Sequence, residues 1–150
     1  MRVLGIDLGT KRIGVALSDA GGVLATPHVV LQRARNRGDD HRAIKAIVDE
    51  WEVERVVVGL PLSMDGSSGP AARKALAEVE RLGVVTGVPV ETYDERLTTV
   101  SAHQVLREQG VAGPDRREVA DKVAAAIILQ GWLDSHQSRS EIIEPPVETP

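Results

Sequence analysis

Residues 3–18 read Val-Leu-Gly-Ile-Asp-Leu-Gly-Thr-Lys-Arg-Ile-Gly-Val-Ala-Leu-Ser. Two short apolar runs, 3–7 and 13–18, flank the turn Gly9-Thr10-Lys11. Each run is too short for a stable helix and is bounded by turn residues, so both read as strands. Asp19-Ala20-Gly21-Gly22 supplies a second turn, because glycine reaches positive φ at little cost. Residues 23–31 then read as a third strand, with Pro27 demoting its middle to an edge or a bulge. The chain therefore opens as an antiparallel meander of three strands.

Beyond residue 38 the apolar period changes. After Asp39-Asp40, apolar residues fall at Ala43, Ile44, Ile47, Val48 and Trp51, which is helical spacing with acids at the favourable end. Residues 55–60, Arg-Val-Val-Val-Gly-Leu, form a continuous run that suits a strand buried on both faces, as parallel strands are. Residues 61–70 are a Gly/Ser-rich loop. Its Ser63, Ser67 and Ser68 are candidates for contact with a phosphate or base, and the alternative is a loop that caps the next helix. That helix starts at Pro70 and places Ala72, Leu76, Val79 and Leu82 on one side. Residues 88–93 read as a fifth strand. Thr98 or Thr99 caps a helix ending at Gly110. Residues 115–118 resemble a capping box before a last helix running to about Leu133. The order β-β-β-α-β-α-β-α-α predicts an α/β fold. It has a mixed five-stranded sheet, three antiparallel strands then parallel ones, with helices on both faces. Ribonuclease-H-like nucleases use this order. Residues 1–135 are expected to form the domain, and 136–150 a disordered, acidic, proline-rich tail.

Composition narrows the chemistry. Of 150 residues 42% are hydrophobic, enough for one core, but aromatics are only 2%, which disfavours base-stacking platforms for single strands. With no cysteine there are no disulfides, thiolate nucleophiles or zinc-thiolate sites. The net charge of −4 divides into −3 for residues 134–150 and −1 for the rest, so the expected domain is close to neutral. No apolar run is long enough to span a membrane, and Asp7 interrupts the first one; a cytoplasmic protein is expected.

Three acids then stand out. Asp7 closes the first strand, where loops of an open α/β sheet diverge around ligands, and Gly9 would let backbone approach a phosphate or metal. The competing reading is a turn with Thr10. Asp94-Glu95 closes the fifth strand and could converge on Asp7, or could merely form a turn, a role that suits Asp94 better than Glu95. Asp121 lies on a helix that is apolar almost all round, so it needs a partner unless it sits in the early turns and points to water. Glu118 could reach the same place or close its capping box. Three carboxylates on two strand ends and a helix make a hard, oxygen-only site suited to Mg²⁺ or Mn²⁺, and two such ions serve phosphodiester hydrolysis. Bases accompany each acid: Lys11 and Arg12, Arg96, and Arg116, Arg117 and Lys122, as nucleic-acid backbone contacts would require. Charges gathered at surface turns would look the same. Arg33, Arg35, Arg37 and Arg42 form another basic stretch, either a further backbone contact or a solvated loop. The four histidines lack metal-ligand spacing and read as surface or capping residues.

Four blocks carry a resemblance: Asp7-Leu-Gly-Thr-Lys-Arg-Ile-Gly-Val-Ala16, Val57-Val-Gly-Leu-Pro-Leu-Ser-Met-Asp-Gly-Ser67, Asp94-Glu-Arg-Leu-Thr-Thr99 and Asp121-Lys-Val-Ala-Ala125. In this order they resemble the signature blocks of the YqgF (RuvX) family, the Holliday-junction-resolvase-like, pre-16S ribosomal RNA nucleases of bacteria. The resemblance implies a ribonuclease-H-like fold, dependence on Mg²⁺ or Mn²⁺, and trimming of the 5′ end of 16S rRNA in ribosome biogenesis. It maps the catalytic, metal-holding acids onto Asp7, Glu95 and Asp121. The stretch before Asp121 departs from the family's more basic pattern, because residues 111–115 dilute it and Glu118 adds an acid. Resolution of branched DNA is the sibling expectation, and would call for a symmetric homodimer. A two-domain nucleotide-binding ATPase also opens with a similar glycine turn but needs a second domain. A binding module without catalysis is the remaining class.

Overall fold

The computed structural model describes residues 1–61, 66, 68–97 and 114–143, with side chains in the last stretch described for 119–136. Strands β1 (Val3–Leu8), β2 (Arg12–Ser18) and β3 (Ala25–Gln32) come first. Helix α1 (Arg37–Glu50), strand β4 (Arg55–Leu60), helix α2 (Pro70–Thr86) and strand β5 (Val90–Asp94) follow. A 3₁₀ turn (Glu95–Leu97) and helix α3 (Pro114–Ile143) end the described chain. The sheet order is β3-β2-β1-β4-β5. β2 is antiparallel to β1 and β3, while β4 is parallel to β1 and β5. The expected mixed five-stranded sheet is therefore observed. The helix expected over 98–110 lies outside the described residues.

The local signals act as their chemistry dictates. Val15 pairs with Val29 but Ala16 pairs with Pro27, so the β3 register slips at His28 beside the proline, and β3 is an edge strand. Asn36 caps α1 by accepting the Asp39 N–H at 2.9 Å, two residues earlier than the acids suggested. Pro70 occupies the first turn of α2, and Gly87, at φ 73°, ends that helix with its N–H on the Gly83 carbonyl. Helix α3 runs ten residues past the expected end near Leu133. No glycine or proline stops it between Gly131 and Pro145, and the Ser135 hydroxyl satisfies the Trp132 carbonyl on the way. Part of the stretch read as a tail is thus helical. Among the described residues no helix is long and apolar enough to cross a membrane.

Strand parity sorts the core into two layers. Leu4, Ile6, Ile13, Val15, Val56 and Val58 meet Ile44, Ile47 and Val48 of α1 and Leu82 of α2. Val3, Ala16 and Val57 meet Ala125, Ile128, Leu129, Trp132 and Leu133 of α3 on the opposite face. Helix α2 departs from its expected stripe: Ala72, Ala75, Glu78 and Leu82 are buried, and Leu76 is 39% exposed. A buried carboxylate with partners rotates the helix away from the purely apolar solution.

Helix α3 comes unusually close to the sheet, and glycines permit it. A Cβ on Gly14 would land on the Asp121 carbonyl oxygen. One on Gly59 would lie 2.5 Å from Ile128 Cδ1, and one on Gly5 would lie 2.6 Å from Leu129 Cβ. Rigid backbone cannot yield at Gly14 as a side-chain end could. Gly14→Ala is expected to lower stability by roughly 3 kcal/mol or more, about 10 °C in melting temperature. Gly83→Ala is the internal control: its Cβ would meet only Val90 at 4.0 Å, so replacing this helical glycine should stabilise by ~0.5–1 kcal/mol. Thermal melts of both variants check the contrast.

Candidate active site

Asp7 stands near the C-terminal end of β1, on the face covered by α3, as its odd parity with Val3 and Gly5 requires. Across the antiparallel ladder its direct partner is Gly14. On the other side, Gly59 follows the last parallel pair, Ile6 with Val58. A glycine therefore lies on each side of Asp7, and each gap is filled by a chain segment bearing another acid. The backbone of Asp121 occupies the space over Gly14. Over Gly59 lies the Glu95 side chain, whose Oε1 is 2.9 Å from where a Cβ would be.

The Asp7 and Glu95 carboxyls share a side-chain hydrogen bond. Burial first, then the charge and hydrogen bond of Glu95 and the charge of Asp121, push the Asp7 carboxyl up to about 7. Burial also raises Glu95, assisted by the charge of Asp94 and opposed by the hydrogen bond from Asp7. Two acids that hold one proton between them near neutrality form a site short of positive charge. Asp121 is near enough to act on Asp7 electrostatically, but its Oδ2 accepts the Arg12 Nε at 2.5 Å. Among the described residues no group of three acids or histidines is gathered closely enough to hold one ion. The three expected acids thus appear as a contacting pair and a neighbour engaged by arginine.

The other expected residues divide. Lys11 is exposed on the β1–β2 turn, and Lys122 is partly exposed beside Asp121. Arg12 is committed to Asp121. Arg96 curls onto Asp94, donating from its guanidinium at 2.6–3.1 Å, and its backbone N–H also bonds Asp94 at 2.9 Å. Asp94 therefore makes the turn that its short side chain favours. Arg116, Arg117 and Glu118 lie in the first turns of α3, and their side chains lie outside the described ones, as do Ser63 and Ser67. Gly9 closes the turn through its N–H to the Arg12 carbonyl at 2.9 Å. His41 corrects an expectation. It is 2% exposed and bonds Glu78 at 3.1 Å, so it is neither a surface nor a capping residue. Arg33 is likewise buried, not part of a solvated loop. Sequence reading missed Gly14 and Gly59 as spacers. Their signal was parity: each lies on the same face as Asp7, where a strand core would ordinarily carry a side chain.

A mixed sheet with this order, and acids gathered at the C-terminal edge of its parallel strands, is the ribonuclease-H-like architecture. RuvC from Thermus thermophilus in complex with a Holliday junction substrate has the same fold, with a TM-score of 0.59 at 22% identity over 91% of this chain and 96% of that one. The free Thermus thermophilus RuvC structure gives 0.56 at 19% identity, covering 92% and 97%. Residues 1–135 match the family model described as "RuvX: Holliday junction resolvase", and the chain belongs to that family. A relative from Anaeromyxobacter sp. (strain Fw109-5) is 52% identical over 92% of this chain and all of its own length; its name is "Putative pre-16S rRNA nuclease". A relative of the same name from Thermoanaerobacter pseudethanolicus is 44% identical over 93% of this chain and all of its own.

The raised Asp7 carboxyl has a consequence for stability. Between its unfolded value near 3.8 and about 7, the folded protein binds the extra proton. Stability is therefore fully present below that window and declines as pH rises through it. With chelator present, wild-type stability is expected to fall from pH 4 to pH 7.5. Asp7→Asn should remove that slope, and should be the more stable protein at pH 7.5 by on the order of 2–4 kcal/mol. Denaturant melts at the two pH values measure it.

Proposed function

We propose that this protein is a metal-dependent nuclease that hydrolyses phosphodiester bonds in structured RNA, its substrate being the 5′ end of pre-16S rRNA. The observation that carries the reading is the Asp7–Glu95 carboxyl pair, desolvated and sharing a proton at a sheet edge, with Asp121 beside it. Such a pair is costly to the fold, which makes a role in chemistry the economical explanation. The names of the full-length relatives support the choice of RNA.

The residues fit a hard divalent ion. All three acids offer oxygen only, and Asp7 and Glu95 already meet. Asp7 and Glu95 would hold the ion, with Asp121 joining them on leaving Arg12. Bound there, Mg²⁺ or Mn²⁺ would polarise the phosphoryl oxygens and acidify water. The chain's own contributions are positional. Lys11 on the β1–β2 turn and Lys122 on α3 flank the acids and would hold the backbone phosphates on either side of the scissile bond. Arg12, between them, would exchange its carboxylate partner for a phosphate.

A second reading, cleavage of branched DNA, draws on the family's description and on the fold shared with RuvC. One assay separates them. Purified protein is given a pre-16S RNA and a four-way DNA junction together in Mn²⁺, with and without chelator. Preferential cleavage of the RNA is expected, abolished by chelator. Asp7→Asn should slow it by on the order of 10²–10³-fold or more. Wild-type rates in Asp7→Asn would sink the reading, and faster cleavage of the junction would favour branched DNA.

A further inference from the structure

On the face of β1 opposite α3 lies a second cluster of charges, and it touches the turn that follows Asp7. Arg33 leaves the end of β3 with its side chain 9% exposed. Its Nη1 and Nη2 donate to the two Glu78 oxygens at 3.1 and 2.9 Å, and Nη1 also reaches Asp40 at 3.1 Å. Glu78 is shared with His41 at 3.1 Å and Arg37 at 3.4 Å. Asp40 in turn accepts the Ala34 N–H at 2.7 Å. The fork of the guanidinium is thus fixed by α1 and α2. Its Nε donates instead to the Gly9 carbonyl at 2.9 Å. The Arg33 backbone N–H bonds the Lys11 carbonyl, also at 2.9 Å.

We infer that Arg33 is a positioning residue for the active site: anchored by Glu78 and Asp40, it clamps the Gly9–Lys11 turn and so fixes Asp7 and Arg12 at the turn's two ends. The inference rests on the reading of Asp7 as a catalytic acid. The turn is tight, with Gly9 N–H on the Arg12 carbonyl, and so carries a shift at one end to the other. Both ends carry site residues, since Asp7 meets Glu95 and Arg12 meets Asp121. Only arginine can serve here. Lysine could keep a charge near Glu78, but it has no separate Nε–H to hold Gly9. Arg33 touches no substrate and no reacting atom, so it acts through the turn alone.

Arg33→Lys tests this in the full chain, beside Ile44→Val as an ordinary core truncation on the same face. Hydrogen exchange of the peptide spanning residues 8–12 is read first. It should speed up about tenfold in Arg33→Lys and stay unchanged in Ile44→Val. Cleavage of pre-16S RNA in Mn²⁺ is read second, at a temperature where circular dichroism shows every variant folded. For Arg33→Lys kcat should fall roughly 10–100-fold while KM rises by no more than about fivefold, because the acids are displaced and, of the backbone contacts, Lys11 and Arg12 loosen with the turn while Lys122 is retained. Ile44→Val should keep kcat whatever its melting temperature. Unchanged exchange in the turn overturns the clamp. Faster exchange with wild-type kcat overturns the positioning role, as does a fall in kcat that follows melting temperature equally in both variants. Should Arg33→Lys not fold, Asp40→Asn loosens the same guanidinium and is expected to move both readouts in the same direction by about threefold. A wild-type protein inert on RNA would remove the nuclease reading instead, and the exchange arm would still decide the clamp.

Discussion

Helix α3 rests against the backbone of the sheet where a helix ordinarily rests on side chains. The contact at Gly14 is with the Asp121 carbonyl itself, and at Gly5 with the Leu129 Cβ and the Ala125 carbonyl. Along the same line Gly131 of α3 gives room to the Tyr93 ring of β5. This closeness decides where Asp121 sits relative to Asp7. A helix at ordinary spacing would hold its carboxylate farther from the strand, and the Asp121 contribution to the rise of Asp7, which adds to those of burial and Glu95, would weaken with distance. The apolar contacts of Ala125, Ile128, Leu129, Trp132 and Leu133 with Val3, Ala16 and Val57 supply the force that keeps the helix there.

Holding three carboxylates together works against folding. The protein limits the cost with two charges of its own, a proton on the Asp7–Glu95 pair and the Arg12 guanidinium on Asp121. Both are exchangeable. The Arg12 and Asp121 side chains are each about a quarter exposed, so water can reach the pair when it opens. The site is therefore neutralised only in ways that a cation or a phosphate can displace.

Much of this was legible in the sequence. The sequence of elements along the chain, the bulge beside Pro27 and the covering of both sheet faces by helices follow from turn chemistry and periodicity, which are local signals. So does the position of Asp7, since a lone acid ending an apolar strand stands out against its neighbours. The meeting of Asp7 with Glu95 needed the pairing of β1 with β4 and of β4 with β5, which brings residues nearly ninety positions apart to one edge. Sequence offers the two strand ends but not their adjacency. Least legible were residues whose role is to be small or to be paired. Gly14 and Gly59 read as ordinary strand glycines until α3 is placed over them. Glu78 broke the expected stripe of α2 because hydrophobic periodicity cannot represent a buried acid whose partners lie on α1 and at the end of β3. Past Leu133 the polar composition points to a tail, yet no helix breaker stands before Pro145, and the last helix continues to Ile143.

The two charge clusters flanking β1 show what separates a scaffold from a site. Burial would raise the Glu78 carboxyl, yet hydrogen bonds from Arg33 and His41 and the charges of Arg33 and Arg37 hold it below the ordinary range. Asp7, half-buried on the other face, is driven upward by burial first and then by the acids beside it. Burial pushes both carboxyls upward, so burial alone does not separate them. Balance does. The Arg33 cluster answers Asp40 and Glu78 with two arginines and satisfies its oxygens internally, which leaves it nothing to bind and makes it rigid. The Asp7 cluster is left short of positive charge on the edge where the strands end. Because the Gly9 turn belongs to both, the rigid cluster can brace the deficient one, and a site that repels itself is kept from relaxing apart.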